Sequence, residues 1–215
     1  MEGLFEINLQ LFSVIGTIAF AISGAVVAME EDYDILGVFV LALVTAFGGG
    51  VIRNLLIGVP VTTLWEQGVA LKTALLSAFL VFIFPVSWIR KWKTWEAFFD
   101  ALGLSAFSIQ GALYATKMNV PLSAVMVAAM LTGIGGGIIR DVLAGRKPLV
   151  LRDEIYAVWG MLAGYAIGLG WAKSSIELLV LFVVVVAFRM LSVQFRWRLP
   201  RRSLRLHEKP VPKRS

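Results

Sequence analysis

The 215-residue chain contains no cysteine and one histidine, His207, near its C-terminal end. Disulfides, thiolate metal sites and cysteine nucleophiles are thereby excluded, and imidazole chemistry is confined to the tail. Charge is scarce as well: 16% of residues are Asp, Glu, Lys or Arg, while 59% are hydrophobic and the mean hydropathy is +0.82. Soluble domains of ordinary composition carry about 25% charged residues. The chain therefore reads as an integral membrane protein, with no extramembrane stretch large enough for a catalytic domain. No enzymatic activity, no cofactor and no tight metal site are expected.

What the chain has in quantity is long apolar sequence. A span needs roughly 20 residues to cross about 30 Å of hydrocarbon, and seven suitable runs lie at 11–29, 35–58, 69–89, 97–116, 121–144, 155–172 and 175–195. The start, Met1-Glu2-Gly3-Leu4-Phe5-Glu6, lacks the positive region of a secretory signal, so the first run reads as a retained span. Lysine and arginine set the orientation. With the N-terminus outside, the inner side receives Arg90, Lys91 and Lys93, then Arg146, Lys147 and Arg152, then the tail from Arg196 to Arg214. The outer side receives little beyond Lys117 and Lys173, which places the C-terminus in the cytoplasm and the protein in the plasma membrane as a multi-pass chain. Glu30, Glu31, Asp32 and Asp34 then fall on the inner side, where acidic residues carry little weight in this rule.

Gly48-Gly49-Gly50-Val51-Ile52-Arg53-Asn54 recurs 87 positions later as Gly135-Gly136-Gly137-Ile138-Ile139-Arg140-Asp141. At the same offset Gly16, Ala19, Phe20, Ile22, Gly24, Ala25 and Ala28 match Gly103, Ala106, Phe107, Ile109, Gly111, Ala112 and Ala115. Val38, Val40, Ala42, Thr45, Ile52, Leu56 and Gly58 likewise match Val125, Val127, Ala129, Thr132, Ile139, Leu143 and Gly145. The chain divides into repeat one (11–90), repeat two (97–173), a seventh helix (175–195) and a basic tail (196–215). Three spans per copy force the second copy into the membrane from the opposite side. Such inverted repeats place substrate or ion sites at their interface, built from discontinuous helices.

The glycine triplets make the second and fifth spans the expected broken pair, since Gly costs about 1 kcal/mol relative to Ala inside a helix. Arginine at bilayer depth costs a further 2.5 to 3.5 kcal/mol or so. Gly48, Gly49, Gly50, Gly135, Gly136 and Gly137 are the candidate pore and helix-break residues; tight helix packing is the alternative reading of the same glycines. Arg53 and Arg140 follow their triplets by about one turn. Two roles stay open for them: pore-lining or gating groups, or clamps on carbonyls freed at the breaks. Asp141 is the more direct cation attractor, and its counterpart Asn54 has no evident charge partner. Neighbouring helical residues point about 100° apart, so Arg140 and Asp141 are not expected to pair. Ser13, Thr17 and Ser23 in the first span, and Asp100, Ser105, Ser108 and Gln110 in the fourth, supply polar groups suited to a hydrated path or to stitching helices together.

Gly160, Gly164 and Gly168 recur every four residues as a small-residue packing stripe. Pro85 predicts a kink in the third span. Trp65, Trp88, Trp92, Trp95, Trp171 and Trp197 fall near span ends, where an aromatic belt is expected. The tail is basic and punctuated by proline, suited to topology and to anionic lipid rather than to nucleic acid.

Together these motifs resemble the trimeric intracellular cation (TRIC) channel family in its prokaryotic form, over about 11–195, with the doubled Gly-Gly-Gly-x-x-Arg as the most specific element. The resemblance implies an all-α integral membrane fold of seven helices, two inverted three-helix repeats plus a seventh. It also implies a homotrimer with bound membrane lipid and one pore per protomer, bent at the triplets, passing potassium and sodium. Animal members carry a lysine-containing motif after the first triplet that binds phosphoinositide; here Asn54 and Leu55 follow Arg53, which does not match. The same bacterial group is also described as glycine-transporter-like. The expected function is accordingly a passive monovalent cation channel, with a secondary transporter of glycine or another small amino acid as the alternative.

Overall fold

A computed structural model of the protein describes residues 2–64, 68–85, 87, 94–152 and 155–200. Every regular element in them is helical: α1 (Glu2–Glu30), α2 (Ile35–Ile57), a 3-10 turn (Val61–Leu64), α3 (Gly68–Ile83), α4 (Trp95–Lys117), α5 (Leu122–Leu143), α6 (Leu149–Arg152), α7 (Ala157–Gly168) and α8 (Ser175–Gln194). Four segments are long and apolar enough to cross a membrane: Phe5–Glu30, Ile35–Ile57, Leu122–Leu143 and Ser175–Gln194. α3 and α7 are apolar but shorter. α4 has the length, with the carboxylates of Glu96 and Asp100 in its first two turns.

The helix ends follow from local chemistry. Asp34 caps α2 by accepting the Gly37 N–H at 2.8 Å, which satisfies a donor that the helix itself leaves orphaned. Ser174 and Glu177 form a reciprocal capping box at the start of α8. α2 and α5 both run into a left-handed glycine just past their last turns, Gly58 at φ 72° and Gly145 at φ 70°. These two glycines are themselves 87 positions apart, so the duplication preserves the way each helix stops. Pro85 does not kink a span as expected. α3 stops at Ile83, because the residue before a proline is driven out of the helical region and the helix ends first. Trp65, Trp88, Trp92, Arg90, Lys91, Lys93 and tail residues 201–215, His207 among them, lie outside the described residues.

Packing repeats at the same offset. α1 packs on α2 and α3, as α4 packs on α5 and α7; α1 also meets α4, and α2 meets α5. Where mates meet, the contacts are reciprocal. Phe20 and Phe107 lie against each other with ring centroids 5.2 Å apart, and each ring fills the place of a side chain missing from the other copy, at Gly103 and Gly16. A Cβ on Gly24 would lie 2.6 Å from Thr45 Oγ1, and one on Gly111 would lie 2.6 Å from Thr132 Oγ1. Both threonines are buried and donate to their own helix, to the Leu41 and Ala128 carbonyls, each at 2.6 Å.

The triplets sit at the crossing of α2 and α5. A Cβ on Gly49 would collide with the Thr132 carbonyl, and one on Gly136 with the Thr45 carbonyl. Cβ positions on Gly48 and Gly135 would fall 3.3 and 3.2 Å from the Cα atoms of Gly136 and Gly49. The expected discontinuity is not seen: both helices continue through their triplets. Close backbone approach offsets the glycine penalty there, so no hydrogen bond needs to break. The stripe of Gly160, Gly164 and Gly168 does the same for α7 against α4 and α5, facing Ser108, Ala129 and Leu122.

Gly49→Ala and Gly136→Ala should each destabilise the fold by about 1–3 kcal/mol through overpacking against backbone. Gly3→Ala, with open space around its Cβ, should leave stability unchanged. Thermal unfolding of the detergent-solubilised protein measures both, and equal midpoints for all three variants would contradict the crossing.

Candidate functional site

Three residues beyond its triplet, Arg140 projects from α5 into a buried cluster of carboxylates. Its guanidinium is sealed from solvent and donates from Nη1 to Ser23 Oγ and to Asp100 Oδ1, the latter at 2.8 Å. Nε donates to Asp141 Oδ1 at 2.8 Å, Nη2 lies 2.7 Å from the same oxygen, and Glu96 Oε1 stands 3.6 Å from Nη2. Asp141 Oδ2 accepts the Leu149 N–H at 2.9 Å, so the cluster also fixes the start of α6. The pairing of Arg140 with Asp141 corrects the expectation from helix geometry. Adjacent Cβ atoms diverge, but the long arginine side chain folds back across its own helix to reach the next residue.

The cluster continues outward through Glu96, whose other oxygen lies 3.6 Å from Arg146 Nη1. Arg146, in the connection after α5, donates to Glu31 Oε1 and, at 2.9 Å, to Glu30 Oε2. Partial burial disfavours the charge on Arg146, but its hydrogen bonds to Glu31 and Glu30 outweigh that and hold its pKa above the ordinary arginine value. Two of the four acidic residues expected on the inner side, Glu30 and Glu31, thus have Arg146 as a partner. From Arg140 to the surface, two guanidiniums face five carboxylates.

Arg53 occupies the mate position on α2 and is also buried. Its neighbours are neutral: Nη1 donates to Gln110 Oε1 at 2.8 Å, Nε and Nη2 donate to Asn54 Oδ1 at 3.1 and 2.9 Å, and the guanidinium lies 4.2 Å from the centroid of Tyr114. Among the described residues no carboxylate pairs with it. Asn54 therefore has a charge partner after all, in the arginine beside it. Several members of the two clusters correspond at the offset of 87. Ser23 serves Arg140 as Gln110 serves Arg53, and the counterpart of Asp100 is Ser13.

The space beside the two arginine clusters also differs. Around Arg140 the space beside Asp141, Leu149 and Tyr156 is closed to water-sized spheres. Around Ser13 a cavity of about 630 Å³ opens, bordered by Glu6, Gln10, Ser13, Lys72, Gln110 and Tyr114 among others. Of the other hydroxyls, Ser105 is spent on the Phe182 carbonyl of α8 at 3.0 Å, while Ser108 and Thr17 are buried. Only Ser13 of that set borders the cavity. Sequence reasoning missed Glu96, Tyr114, Tyr156 and Arg189. Arg189, an arginine within the last apolar run, carried a usable signal; it is buried, with its guanidinium 4.6 Å from the Tyr156 ring centroid.

A helical membrane protein whose two halves cross at paired glycine triplets, each followed by a buried arginine, defines a narrow class. The family model described as "Glycine transporter" matches residues 10–85 and 97–172, the two repeats in turn. A UPF0126 membrane protein of Bacillus subtilis is 64% identical over 92% of this chain and 98% of its own length. A prokaryotic TRIC channel solved as a crystal structure in 0.5 M KCl has a TM-score of 0.82 at 31% identity, over 90% of this chain and 100% of that one. The TRIC orthologue from Rhodobacter sphaeroides has a TM-score of 0.77 at 30% identity, over 87% and 97%. The chain belongs to the TRIC channel family.

Asp100→Ala should destabilise the protein by about 3–5 kcal/mol, because it strips a buried guanidinium of a fully buried partner. Glu96→Gln, at longer range and part-exposed, should cost under about 1 kcal/mol. Thermal unfolding in detergent ranks the two, and the reverse order would show that Arg140 does not depend on Asp100.

Proposed function

We propose that the protein is a passive channel for potassium and sodium, assembled as a homotrimer in the plasma membrane with one pore per protomer. The pore runs between two inverted repeats, 11–90 and 97–173, with the seventh helix at 175–195, the N-terminus outside and the C-terminus cytoplasmic. Membrane lipid surrounds the assembly, and the basic charge of 196–215 favours the anionic inner leaflet. Support for the inverted arrangement comes from the reciprocal contacts, which are those of a two-fold axis passing between Phe20 and Phe107 and between the triplets. Family membership supports the cation channel.

The single observation that carries the choice of ion is the carboxylate excess around Arg140 and Arg146. A mouth lined by one sign of charge concentrates the opposite ion, and here that ion is a cation. Arg140 then acts as a clamp that its carboxylates neutralise, whereas Arg53, with none among the described residues, is the barrier at the outer end. Gly48, Gly49, Gly50, Gly135, Gly136 and Gly137 give α2 and α5 a place to bend as the pore opens. One observation favours the second reading, a carrier of glycine or another small amino acid: a cavity of about 630 Å³ opens beside Ser13, whereas the space beside Arg140, Asp141 and Tyr156 is closed. A one-sided opening is what alternating access requires.

Proteoliposomes holding the purified protein should take up potassium down its gradient without saturating at low concentration. Arg53→Ala should raise that flux by about tenfold, a barrier change of ~1.4 kcal/mol. Absence of potassium flux together with saturable counterflow of labelled glycine would establish the carrier instead.

A further inference from the structure

Beside Arg140, two buried polar atoms lack the hydrogen bond that burial ordinarily demands. Asp100 is fully buried, and its Oδ1 accepts from Arg140 Nη1 at 2.8 Å, whereas Oδ2 has no partner among the described residues. A carboxylate has about four lone-pair sites, so much of its capacity is unused. Tyr156, placed just ahead of α7, is buried as well, and among the described residues its hydroxyl is also without a hydrogen-bond partner. It nonetheless stands within interaction range of the Asp100 carboxylate, though not aligned for a full hydrogen bond. Both groups close around Gly137, where a Cβ would lie 3.3 Å from the Tyr156 hydroxyl and 3.4 Å from Asp100 Oδ1. The space beside Tyr156, Gly137 and Arg140 is closed to water-sized spheres, so water does not serve the hydroxyl on that side.

We propose that Tyr156 is the reserve partner of Asp100: when Arg140 parts from that carboxylate, the Tyr156 hydroxyl takes it over as hydrogen-bond donor. This positioning role goes beyond the cation-channel reading and rests on neither transport mechanism.

The exchange leaves neither charge bare. Arg140 without Asp100 keeps Asp141 through Nε and Nη2, and Ser23 through Nη1. Asp100 without Arg140 would be a lone carboxylate in a dry interior, which is costly, and a phenol O–H turned toward it makes a short, charge-assisted bond. Arg189 favours that bond from the ring side. Its guanidinium lies 4.6 Å from the Tyr156 ring centroid, and a positive charge against the ring makes the phenol a stronger donor. Because Arg189 belongs to α8, Tyr156 also joins the helix outside both repeats to the cluster inside repeat two. The other end has no equivalent device. At the offset of 87 the mate of Tyr156 is Val69, and the mate of Asp100 is Ser13, so there is neither a phenol to donate nor a carboxylate to catch.

The test is thermal unfolding of the full-length protein in detergent, with Tyr156→Phe placed in three backgrounds. In the parent it removes a hydroxyl that makes no bond, and should hold or raise the midpoint. In Arg140→Met, where Asp100 has lost its arginine, the same change should lower the midpoint by at least about 3 °C. In Arg140→Met/Asp100→Asn no carboxylate remains at that point, and the cost should vanish. A tyrosine that only packs would shift all three backgrounds equally; that outcome overturns the proposal, as does a cost that persists without the Asp100 charge. Should Arg140→Met fail to assemble, Arg140→Gln keeps a polar side chain there without the charge and should show the same drop. Transport supplies a second readout. If parting Arg140 from Asp100 accompanies opening, Tyr156→Phe strands the carboxylate and should slow potassium uptake by proteoliposomes about tenfold, and unchanged uptake would remove the exchange from transport. Because the midpoints are read without transport, a protein that shows no potassium flux leaves them standing.

Discussion

Backbone-to-backbone contact between α2 and α5 is the constraint on which the rest depends. With the Gly49 Cβ position occupied by the Thr132 carbonyl and the Gly136 position by the Thr45 carbonyl, the helices approach as closely as side-chain-free backbones allow. In lipid, where no hydrophobic drive separates helix from solvent, such contact is a principal source of association. It also fixes everything one turn further on. Arg53 and Arg140 leave the crossing at equivalent positions, and each meets a residue of the other copy, Gln110 or Ser23. Rotating either helix at the triplet would take its arginine off its partners.

Symmetry of backbone is combined with asymmetry of charge. The frame is duplicated closely enough that caps, threonine back-bonds and aromatic fillers recur as mates, yet the polar residues hung on it diverge: Asp100 against Ser13, Asp141 against Asn54, Glu96 against Leu9. All three substitutions place the acid in the same copy. The buried Arg140 is held among carboxylates in a space closed to water, whereas Arg53 is held by amides and a phenol ring, and Gln110 and Tyr114 also border a cavity. The difference in charge between the two clusters is therefore carried by a few side chains on a shared scaffold.

Much of this was legible in the sequence. Apolar runs located the helices, and the shared offset located the copies, because a duplicated fold preserves the positions where small residues let helices touch. Two local inferences failed for physical reasons. Glycine weakens a helix in isolation, yet Gly48–Gly50 and Gly135–Gly137 stay helical because the neighbouring backbone packs into the space they leave. Adjacent side chains diverge at Cβ, yet Arg140 reaches Asp141 because six bonds of arginine outrun the divergence. The partners of the arginines were not legible, since they come from α1 and α4 and depend on how those helices are turned. Offsetting Asp100 back to Ser13 would have exposed the asymmetry early, but only once both were known to face an arginine.

Asp141 holds Arg140 with one oxygen and the first turn of α6 with the other, while Arg146 grips α1 and α4 from the intervening connection. The chain from 141 to 149 is thus riveted at both ends to the same ionic cluster. In such a joint a carboxylate parted from its arginine is left facing its neighbours' negative charge. Displacing this end therefore means parting several charges that hold one another, a demand that the neutral neighbours of Arg53 do not make.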